Sequence, residues 1–598
     1  MSQEPQIPPR ILCCVRHRGT MRGMKHVSIS PSAMIDTLRD AVAARFLISA
    51  EEMDRTELYQ LTSPIEHESV DPSNANQRLK NINISSDSKE VKIIDNNAAT
   101  VEEYFPNQLK PGIHIIFQTT HLGKRGRDLD SEEETTSKKR QTMDVVRSQV
   151  PSVAAYPATF NSLQMKASGP IIYCNRPPAA TSTPVTLLDP VFGKFVDDCV
   201  NLKPTAEDHK IVHQLTHAMS DVYPNEHARA MRFRQILRDV YDIDLSAGNL
   251  DPTRYESDGH ARIGKHVYLL TEVKAEVGVG GAEPYFQGGL YHHEYVKIQR
   301  KNSPDPGLRF PWFQVILCGA YMGIAGSAVT DRIHMDTLTP MLPLSCHQSD
   351  TPMRKMMARH LGALREGLNT LRAYYKDLVP QASTPKNAAL YPYPTSFSSF
   401  SSHTREHFKY KRQLRSSTAG NEKLVFFGEL QDSQGAMVDV CIKFTREYSE
   451  NAHEYCAKEG WAPRLLGCEK LSGGWYMVVM EDMTEHKQLG SLSVEDREEL
   501  KAGGLHDQLL AALKHLHAAN MVHGDLRDAN ILVRRDVQTG RVDVKIIDFD
   551  WAGVAGTASY PANINYVDIR RPDDARDDLP IKAEHDLAML GYLFPSSS

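Results

Sequence analysis

The sequence predicts a multidomain α+β protein, and three observations lead to this prediction. At about 150 residues per domain, the 598 residues of the chain require three or four separate cores. Two polar segments rich in Pro and Ser, residues 120–185 and 381–415, lack the apolar surface to fold alone and are predicted to be linkers. Strand patterns dominate residues 1–119, whereas strands and amphipathic helices alternate in residues 186–380 and 416–598.

Composition limits the class of protein. Apolar residues make up 41% of the chain and charged residues 24%. No apolar run approaches the ~18 residues of a membrane span, so we expect no membrane partner. The 9 Cys residues contain no C-x-x-C pair, which argues against a zinc site or a disulfide framework and favours a reducing compartment. The net charge of -6 means that any binding of nucleic acid must come from local basic patches.

Residues 9–119 have the element order of a ubiquitin-like β-grasp domain. Two strands (ILCCVRH and KHVSIS), an amphipathic helix that begins near Ser32, a third strand (TELYQLT) and a closing strand (IHIIFQ) follow one another. The helix, the ELYQL strand and the ending VEEYFPNQLKPGIHIIFQ resemble the N-terminal header of Crinkler effectors. The resemblance implies an effector, and the sequence leaves open whether it acts in the nucleus of its own cell or in that of a host cell reached by non-classical secretion. A generic ubiquitin-like interaction module is the alternative.

The first polar segment contains two basic clusters around an acidic spacer. In GKRGRDLDSEEETTSKKRQ these clusters are Lys124-Arg125-Gly126-Arg127 and Lys138-Lys139-Arg140. The arrangement is typical of a bipartite nuclear localisation signal, which predicts the nuclear import machinery as a partner. A solvated charged linker is the alternative.

The middle of the chain carries acidic residues in a pattern that suits metal-dependent cleavage of phosphodiesters. Asp258 lies in a D-G turn, and the strand period of two puts Glu272 and Lys274 on one face of the following strand. Gln287 and Tyr291 lie one turn apart on a predicted helix. Paired carboxylates supply oxygen ligands for Mg²⁺, and an ammonium group can orient the attacking water and stabilise the charge on the scissile phosphate.

This order of an Asp, an E-x-K strand and a Q-x-x-x-Y helix resembles the PD-(D/E)XK nucleases. The resemblance implies a restriction-endonuclease-like α/β domain in residues 186–380, with nucleic acid as substrate and DNA favoured. Asp258 and Glu272 would ligate Mg²⁺, and Glu226 on the preceding helix is a candidate for a further acidic residue. A structural strand with alternating charges is the alternative. Three nearby histidines are predicted to be solvated surface residues instead of metal ligands: His260, His292 and His293.

Residues 416–598 contain two motifs that resemble protein kinases. HGDLRDAN is similar to the catalytic loop H-R-D-x-x-x-x-N, and the apolar run VDVKIID leads into IDFDWAG, which resembles the DFG segment. The resemblance implies a compact bilobal kinase-like domain that uses ATP and Mg²⁺ and has a protein phospho-acceptor. Asp525 would accept the hydroxyl proton, and Arg527 would lie near the transferred phosphate. Asn530 and Asp548 would hold Mg²⁺.

Other parts of the kinase pattern are incomplete. VDVCIKF resembles the V-A-I-K strand and makes Lys443 the expected partner of the nucleotide phosphates. Its acidic helix partner is Glu450 or Glu454, and spacing does not choose between them. No G-x-G-x-x-G precedes this lysine, since only Gly428 and Gly435 are available, and DFD stands in place of DFG. A domain that binds nucleotide without transfer is therefore an alternative.

Together, these patterns predict a Crinkler-like protein that cleaves nucleic acid at a Mg²⁺-dependent site. The C-terminal ATP-binding domain would regulate cleavage or phosphorylate a partner. One alternative makes the protein kinase the principal activity and the middle domain structural. Another is a non-catalytic nucleotide-binding scaffold.

If the basic clusters form an import signal, changing Lys138, Lys139 and Arg140 to Ala should move a fluorescent fusion from the nucleus to the cytoplasm. The reason is that the basic side chains are the recognised feature of such a signal. The measurement is the ratio of nuclear to cytoplasmic fluorescence. Alanine changes at residues 135–137 of the spacer serve as the control, and unchanged nuclear accumulation of the basic-cluster variant would contradict the prediction.

Overall fold

The structure, a computed structural model, describes much of the chain from residue 10 onward. The described residues are 10–17, 20–28, 38, 56–65, 91–94, 113–119, 151–165, 169–250, 253, 255–302, 307–378, 388–414, 423–431, 435–535 and 541–594. The predicted import signal lies outside these residues. The chain divides into two compact units: Met1–Val145 with Met165–Pro170, and Val146–Gln164 with Ile171–Ser598.

The described residues of the N-terminal unit form a five-stranded sheet in the order β2-β1-β5-β3-β4. The strands are β1 (Arg10–His17), β2 (Thr20–Ser28), β3 (Thr56–Ile65), β4 (Val91–Ile94) and β5 (Ile113–Thr119). Strands β1 and β5 are parallel, and the other neighbours are antiparallel. The strands expected from the sequence are present, and Leu38 of the expected helix is helical. The ubiquitin-like assignment and the Crinkler resemblance stay predictions.

The middle of the chain, within the described residues, is built on an eight-stranded mixed sheet. Its strands are β6 (Ile172–Tyr173), β7 (Ser246–Asn249), β8 (Glu256–Ile263), β9 (His266–Lys274), β10 (Trp312–Cys318), β11 (Tyr321–Val329), β12 (Ile333–Thr337) and β13 (Leu342–Pro343). They run in the order β6-β12-β11-β10-β9-β8-β7, with β13 paired to β11. Strand β9 is therefore central.

Helices cover both faces of this sheet. They are α1 (Pro151–Ala154), α2 (Pro157–Gln164), α3 (Val185–Leu188), α4 (Pro190–Asn201), α5 (Ala206–Met219), α6 (Glu226–Tyr241), α7 (Pro284–Asn302) and α8 (Thr351–Lys376). Leu269 and Val273 of β9 join a core with α4, α5, α6 and α8, whereas Leu270 joins a core with α1, α2 and α7. A central strand covered on both sides must be apolar on both faces. Glu272 interrupts that pattern.

Strand pairing determines which ends of these elements meet. Strand β8 is antiparallel to β9, and β10 is parallel to β9 with α7 as the crossover. The register pairs Gly259 with Thr271, so Asp258 lies beside the end of β9 that carries Glu272. The restriction-endonuclease-like assignment stays a prediction.

The first predicted linker, residues 120–185, is folded in part, and the prediction is wrong for its C-terminal portion. Helices α1 and α2 and strand β6 lie in it, and Phe160 stacks on Phe286 of α7 with ring centroids 3.8 Å apart. The amide oxygen of Gln164 accepts bonds from the backbone N–H groups of Ile171 and Ile172. A few apolar residues at helical spacing suffice for this packing. Because the composition of the whole segment is polar, it does not reveal these residues.

The second predicted linker, residues 381–415, is also wrong in its described part. Residues Ser396–Ser398 form β14 and residues Arg405–Gln413 form β15, both within a sheet of the kinase-like region. Phe397 and Phe408 are buried in the core of that sheet. In β15 the buried Phe408 and the half-buried Tyr410 lie on one face, and the exposed Lys409 and Lys411 lie on the other, so its polar composition conceals a short apolar stripe.

The kinase-like region has, in its described residues, a six-stranded sheet in the order β14-β15-β16-β17-β19-β18. The further strands are β16 (Val425–Gln431), β17 (Met437–Thr445), β18 (Leu465–Leu471) and β19 (Trp475–Glu481), with helix α9 (Glu450–Lys458) beside them.

A second lobe follows this sheet. Its elements are β20 (Lys487–Gln488), α10 (Val494–Ala502), α11 (Leu505–Ala518), β21 (Met521–Val522), β22 (Ile531–Arg535), β23 (Val542–Ile546), β24 (Gly553–Val554) and α12 (Ala583–Leu593). The leucines at helical spacing in α11 are all buried in one core with Phe549. None of the helices in the described ranges has the length and apolar character of a membrane span.

The kinase-like sheet packs directly on the middle region. Leu187 of α3 belongs to the core of that sheet. Trp475 Nε1 donates a hydrogen bond to Thr186 Oγ1 at 2.9 Å. A Cβ on Gly193 of α4 would come within 2.8 Å of the carbonyl oxygen of Ser472, so only glycine allows the approach. These contacts join the two sheets within one compact unit.

If residues 396–413 are part of the sheet, Phe408→Ala should destabilise it. Loss of a buried phenylalanine and the resulting cavity cost about 3–5 kcal/mol. His407→Ala, an exposed neighbour, should change the free energy of unfolding by less than about 0.5 kcal/mol. The measurement is denaturant unfolding of the full chain, together with hydrogen exchange of the backbone amides of this sheet. Equal effects of the two changes would restore the linker interpretation.

Candidate functional site

A buried carboxylate holds the HGD loop in place. Asp586 of α12 accepts hydrogen bonds from the backbone N–H groups of His523 and Gly524, each at 2.8 Å. His517 Nε2 lies 3.0 Å from the same carboxylate. Asp586 is fully buried, and these polar contacts compensate for its lost hydration. The loop therefore has one backbone position relative to α12.

Glycine at position 524 follows from the same geometry. Gly524 has φ +84°, and a Cβ there would come within 2.8 Å of Ile581 Cδ1. A side chain would be strained and would clash. This explains why the loop reads HGD where the kinase pattern has H-R-D.

Two predicted residues, Arg527 and Asn530, meet at the carboxylate of Asp525 together with Arg571. Its Oδ2 accepts from Arg527 Nε and from Asn530 Nδ2, both at 2.9 Å. Its Oδ1 accepts from Arg571 Nη2 at 2.8 Å. A carboxylate has about four acceptor positions, so Oδ1 can accept a further donor. Asp525 can therefore receive a hydroxyl group.

Arg571 was missed by sequence reasoning. It lies 46 residues after Asp525 and is nearly buried, with its guanidinium over the ring of Trp551. Its Nη1 has no hydrogen-bond partner among the described residues. No motif in the sequence marks this arginine, because only the fold brings it to the loop.

Asp548 follows β23 and has φ +73°, a left-handed conformation that is uncommon outside glycine. Its Oδ1 accepts from Lys443 Nζ at 2.5 Å. Burial opposes ionisation, but the ammonium of Lys443 holds the pKa of Asp548 below its ordinary value. Strained backbone of this kind persists where the surroundings fix it and is common at functional sites.

Lys443 contacts a second carboxylate. Its Nζ donates to Asp550 Oδ1 at 2.5 Å, and Thr445 Oγ1 donates to Asp550 Oδ2 at 2.9 Å. Burial raises the pKa of Asp550 to about 6. Asp550 is the residue that stands where DFG has glycine. The sequence pattern shows the substitution but predicts no role for this aspartate.

The two predicted helix partners of Lys443 are not brought to it. Glu454 pairs with Lys458 at 3.0 Å, and Glu450 contacts Cys468. The residue of α9 that faces the DFD segment is His453, whose ring stacks on Phe549 with centroids 4.7 Å apart. The prediction of Glu450 or Glu454 as the partner is wrong for the described structure, because Lys443 pairs with Asp548 and Asp550 instead.

A second group of predicted residues meets at the end of β9. Glu272 is 1% exposed, and its Oε1 has no hydrogen-bond partner among the described residues. Burial raises the pKa of Glu272 well above its ordinary value, and the charge of Asp258 adds to the effect. Asp258 Oδ2 accepts from the backbone N–H of Val273 at 2.8 Å, and burial raises its pKa too. Two carboxylates are thus held close together at little exposure.

The other members of this group surround the carboxylates. Lys274 Nζ lies 3.6 Å from Oε1 of Glu226, at the start of α6. Gln287 Nε2 donates to the Tyr291 hydroxyl at 2.7 Å, and that hydroxyl donates to the backbone carbonyl of Glu256 at 2.8 Å. Among the described residues, no three His, Cys, Asp or Glu side chains converge closely enough to hold a metal ion. The metal roles of Asp258 and Glu272 stay predictions.

The neighbouring histidines are buried, so their prediction as surface residues is wrong. His292 stacks on Trp312 with ring centroids 3.8 Å apart, and its Nδ1 lies 2.6 Å from Ser327 Oγ. Burial lowers the pKa of His292 to about 3. His293 and His260 are 4% and 3% exposed. Helix α7 lies between the sheet and the N-terminal helices of this region, so it has no solvated face for His292 and His293. His260 lies on β8, where its Nδ1 is 2.9 Å from Ser257 Oγ.

The protein kinase domain family model matches residues 468–566. The matched range includes Asp525, Asn530, Asp548 and the rest of the HGD and DFD motifs, and it ends before Arg571. Lys443 precedes it.

Two protein kinases are similar to short parts of the chain. A stress-activated protein kinase JNK from Suberites domuncula is 36% identical over 90 residues, which cover 14% of this chain and 23% of the relative. A stress-activated protein kinase JNK from Drosophila melanogaster is 44% identical over 50 residues, which cover 8% of this chain and 12% of the relative. The chain spans less than a quarter of the length of these relatives. These matches do not support the Crinkler and nuclease predictions, and they favour the kinase alternative. The C-terminal part of the chain contains a protein-kinase-like domain, a kind of domain that generally uses ATP and Mg²⁺.

Proposed function

We propose that the C-terminal domain transfers a phosphoryl group from ATP to a hydroxyl group of a protein. The single observation that carries the proposal is the bonding at Asp525. Its carboxylate contacts Arg527, Asn530 and Arg571, and Asp586 fixes the backbone of its loop. A base held in this way, with one oxygen able to accept a further donor, suits proton removal from a hydroxyl group.

The surrounding groups suit a transferred phosphate. Arg527 and Arg571 bring two positive charges to the side of Asp525. Such charges stabilise the negative charge that spreads over the phosphoryl oxygens in the transition state. The orphaned Nη1 of Arg571 is a buried donor that an anionic oxygen would satisfy.

The residues present also fit a magnesium ion. Asn530 donates its amide nitrogen to Asp525, which leaves its carbonyl oxygen for a cation. This oxygen and the carboxylate of Asp548 are the hard ligands that Mg²⁺ prefers. When bound, Mg²⁺ neutralises charge on the nucleotide phosphates. Lys443 would pair with the same phosphates.

We expect Asp548→Ala to abolish binding of Mg²⁺-ATP and Lys443→Ala to weaken it, because these residues hold the metal and the phosphates. Asp525→Asn should leave binding intact and lower transfer about 10²–10⁴-fold, the usual contribution of a general base. Calorimetry measures binding, and radiolabelled ATP measures transfer to a mixture of candidate proteins. Asp528→Asn, in the same loop and paired with Arg497, is the matched control. Absence of ATP binding by the unaltered protein would refute the proposal.

We propose metal-dependent cleavage of nucleic acid as a second candidate function, for the middle region. The observation that favours it is the unpartnered Oε1 of Glu272, fully buried beside Asp258 and Lys274. A buried carboxylate without a partner is costly unless a cation compensates for it. Two carboxylates and an ammonium group are the groups that a Mg²⁺-dependent phosphodiesterase uses.

Glu272→Gln should raise stability at neutral pH and abolish Mg²⁺-dependent nicking of supercoiled plasmid. Because its pKa is raised in the folded state, Glu272 contributes stability that is present in acid and lost as pH rises. The variant should therefore be more stable by about 1–3 kcal/mol near pH 7 and equal to the unaltered protein in acid. Thermal unfolding against pH checks this, and the exposed Glu256→Gln is the control. Undiminished nicking by Glu272→Gln would eliminate the site.

A further inference from the structure

We infer that Asp550, and not an acid on helix α9, is the carboxylate that holds Lys443 in position for the nucleotide phosphates. This inference rests on the proposed phosphotransferase function and assigns a positioning residue to the same site. Lys443 Nζ lies 2.5 Å from Oδ1 of Asp550 and 2.5 Å from Oδ1 of Asp548. Asp548 is the expected metal ligand, so Asp550 is the carboxylate that remains available for a lasting ion pair with Lys443.

Asp550 is fixed by more than the lysine. Thr445, two residues after Lys443 on the same strand, donates to its other oxygen at 2.9 Å. One strand therefore supplies donors to both oxygens of one carboxylate. Such a two-point contact sets the orientation of the carboxylate as well as its distance.

The backbone of the DFD segment is held from both sides. Ser449 N–H donates to the carbonyl oxygen of Phe549 at 3.1 Å. The ring of Phe549 is fully buried, stacked on His453 and edge-on to His523. Asp548 and Asp550 flank this anchored residue, so the spacing between the expected metal ligand and the partner of Lys443 is set by the local backbone.

This arrangement changes how the site would be regulated. In a kinase whose acidic partner lies on a helix, movement of that helix breaks the lysine pair and switches the enzyme off. Here the partner lies on the segment that carries Asp548, and Glu450 and Glu454 contact other groups. Helix α9 would therefore act on the Lys443 pair only through the DFD segment, which it contacts at Phe549 through Ser449 and His453, and not through an acid of its own. The pair assembles whenever the DFD segment is in place.

The test compares carboxylate variants of the full-length chain by Mg²⁺-ATP binding and by steady-state transfer. Asp550→Asn should weaken ATP binding about tenfold or more, since breaking a partly buried ion pair leaves the lysine without its partner, while Asp550→Glu should recover most of the affinity. Glu450→Gln and Glu454→Gln should change affinity less than about twofold, as expected of side chains outside the pair. Asp439→Asn, on the same strand and paired with Lys411 at the surface, is the matched control.

Three outcomes would overturn the inference. One is loss of ATP binding in Glu450→Gln or Glu454→Gln with Asp550→Asn unaffected. Another is failure of Asp550→Glu to recover any of the affinity lost in Asp550→Asn. The third is a change confined to the Mg²⁺ concentration required, which would make Asp550 a metal ligand instead.

A second measurement separates this inference from the proposed function. Thermal unfolding of Lys443→Met, Asp550→Asn and the double variant should be non-additive, because the residues contact each other. The pair Lys443→Met with Glu450→Gln should be additive. If the unaltered protein does not bind ATP but the first pair is coupled, the proposed function fails and the pairing stands. If ATP binds and the first pair is additive, the pairing fails and the proposed function stands.

Discussion

The buried carboxylate of Asp586 is the constraint on which the C-terminal site depends. It lies in α12 and accepts two backbone hydrogen bonds from a loop more than sixty residues earlier, at His523 and Gly524. A buried carboxylate is stable in a protein only when hydrogen-bond donors replace the water molecules that would hydrate it. The helix and the loop must therefore keep one relative position. Asp525 is the next residue after Gly524. Because its backbone position is fixed, its carboxylate accepts hydrogen bonds from Arg527, Asn530 and Arg571.

Each candidate site has two partly or fully buried carboxylates close to one lysine. Lys443 pairs with both Asp548 and Asp550, and one carboxylate oxygen of Glu272 has no hydrogen-bond partner in the part of the chain that the structure describes. Such groupings reduce stability, since each buried charge has lost its hydration. Proteins retain costly groups of this kind where function requires them. A cation ligand would relieve the cost in either site.

The middle region and the kinase-like region of the second unit pack against each other, and this contact affects how either site can be studied. Leu187 belongs by sequence to the middle region and lies in the core of the kinase-like sheet. Trp475 and Gly193 complete the contact from either side. A shortened chain that begins at residue 416 would lack strands β14 and β15 and Leu187 of α3, which lies in the same core. The full chain is therefore the appropriate material for both activities.

The sequence by itself determined the groups that are close along the chain. The HGDLRDAN spacing predicted that Asp525, Arg527 and Asn530 belong together, and the strand period predicted one face for Glu272 and Lys274, because backbone geometry fixes relations within a loop or strand. Tertiary structure decided the rest. It brought Arg571 to Asp525 and Asp550 to Lys443, turned the acids of α9 away, and made strands of residues predicted to be a linker. These relations depend on which elements pack together, and spacing along the chain carries no information about contacts between distant segments.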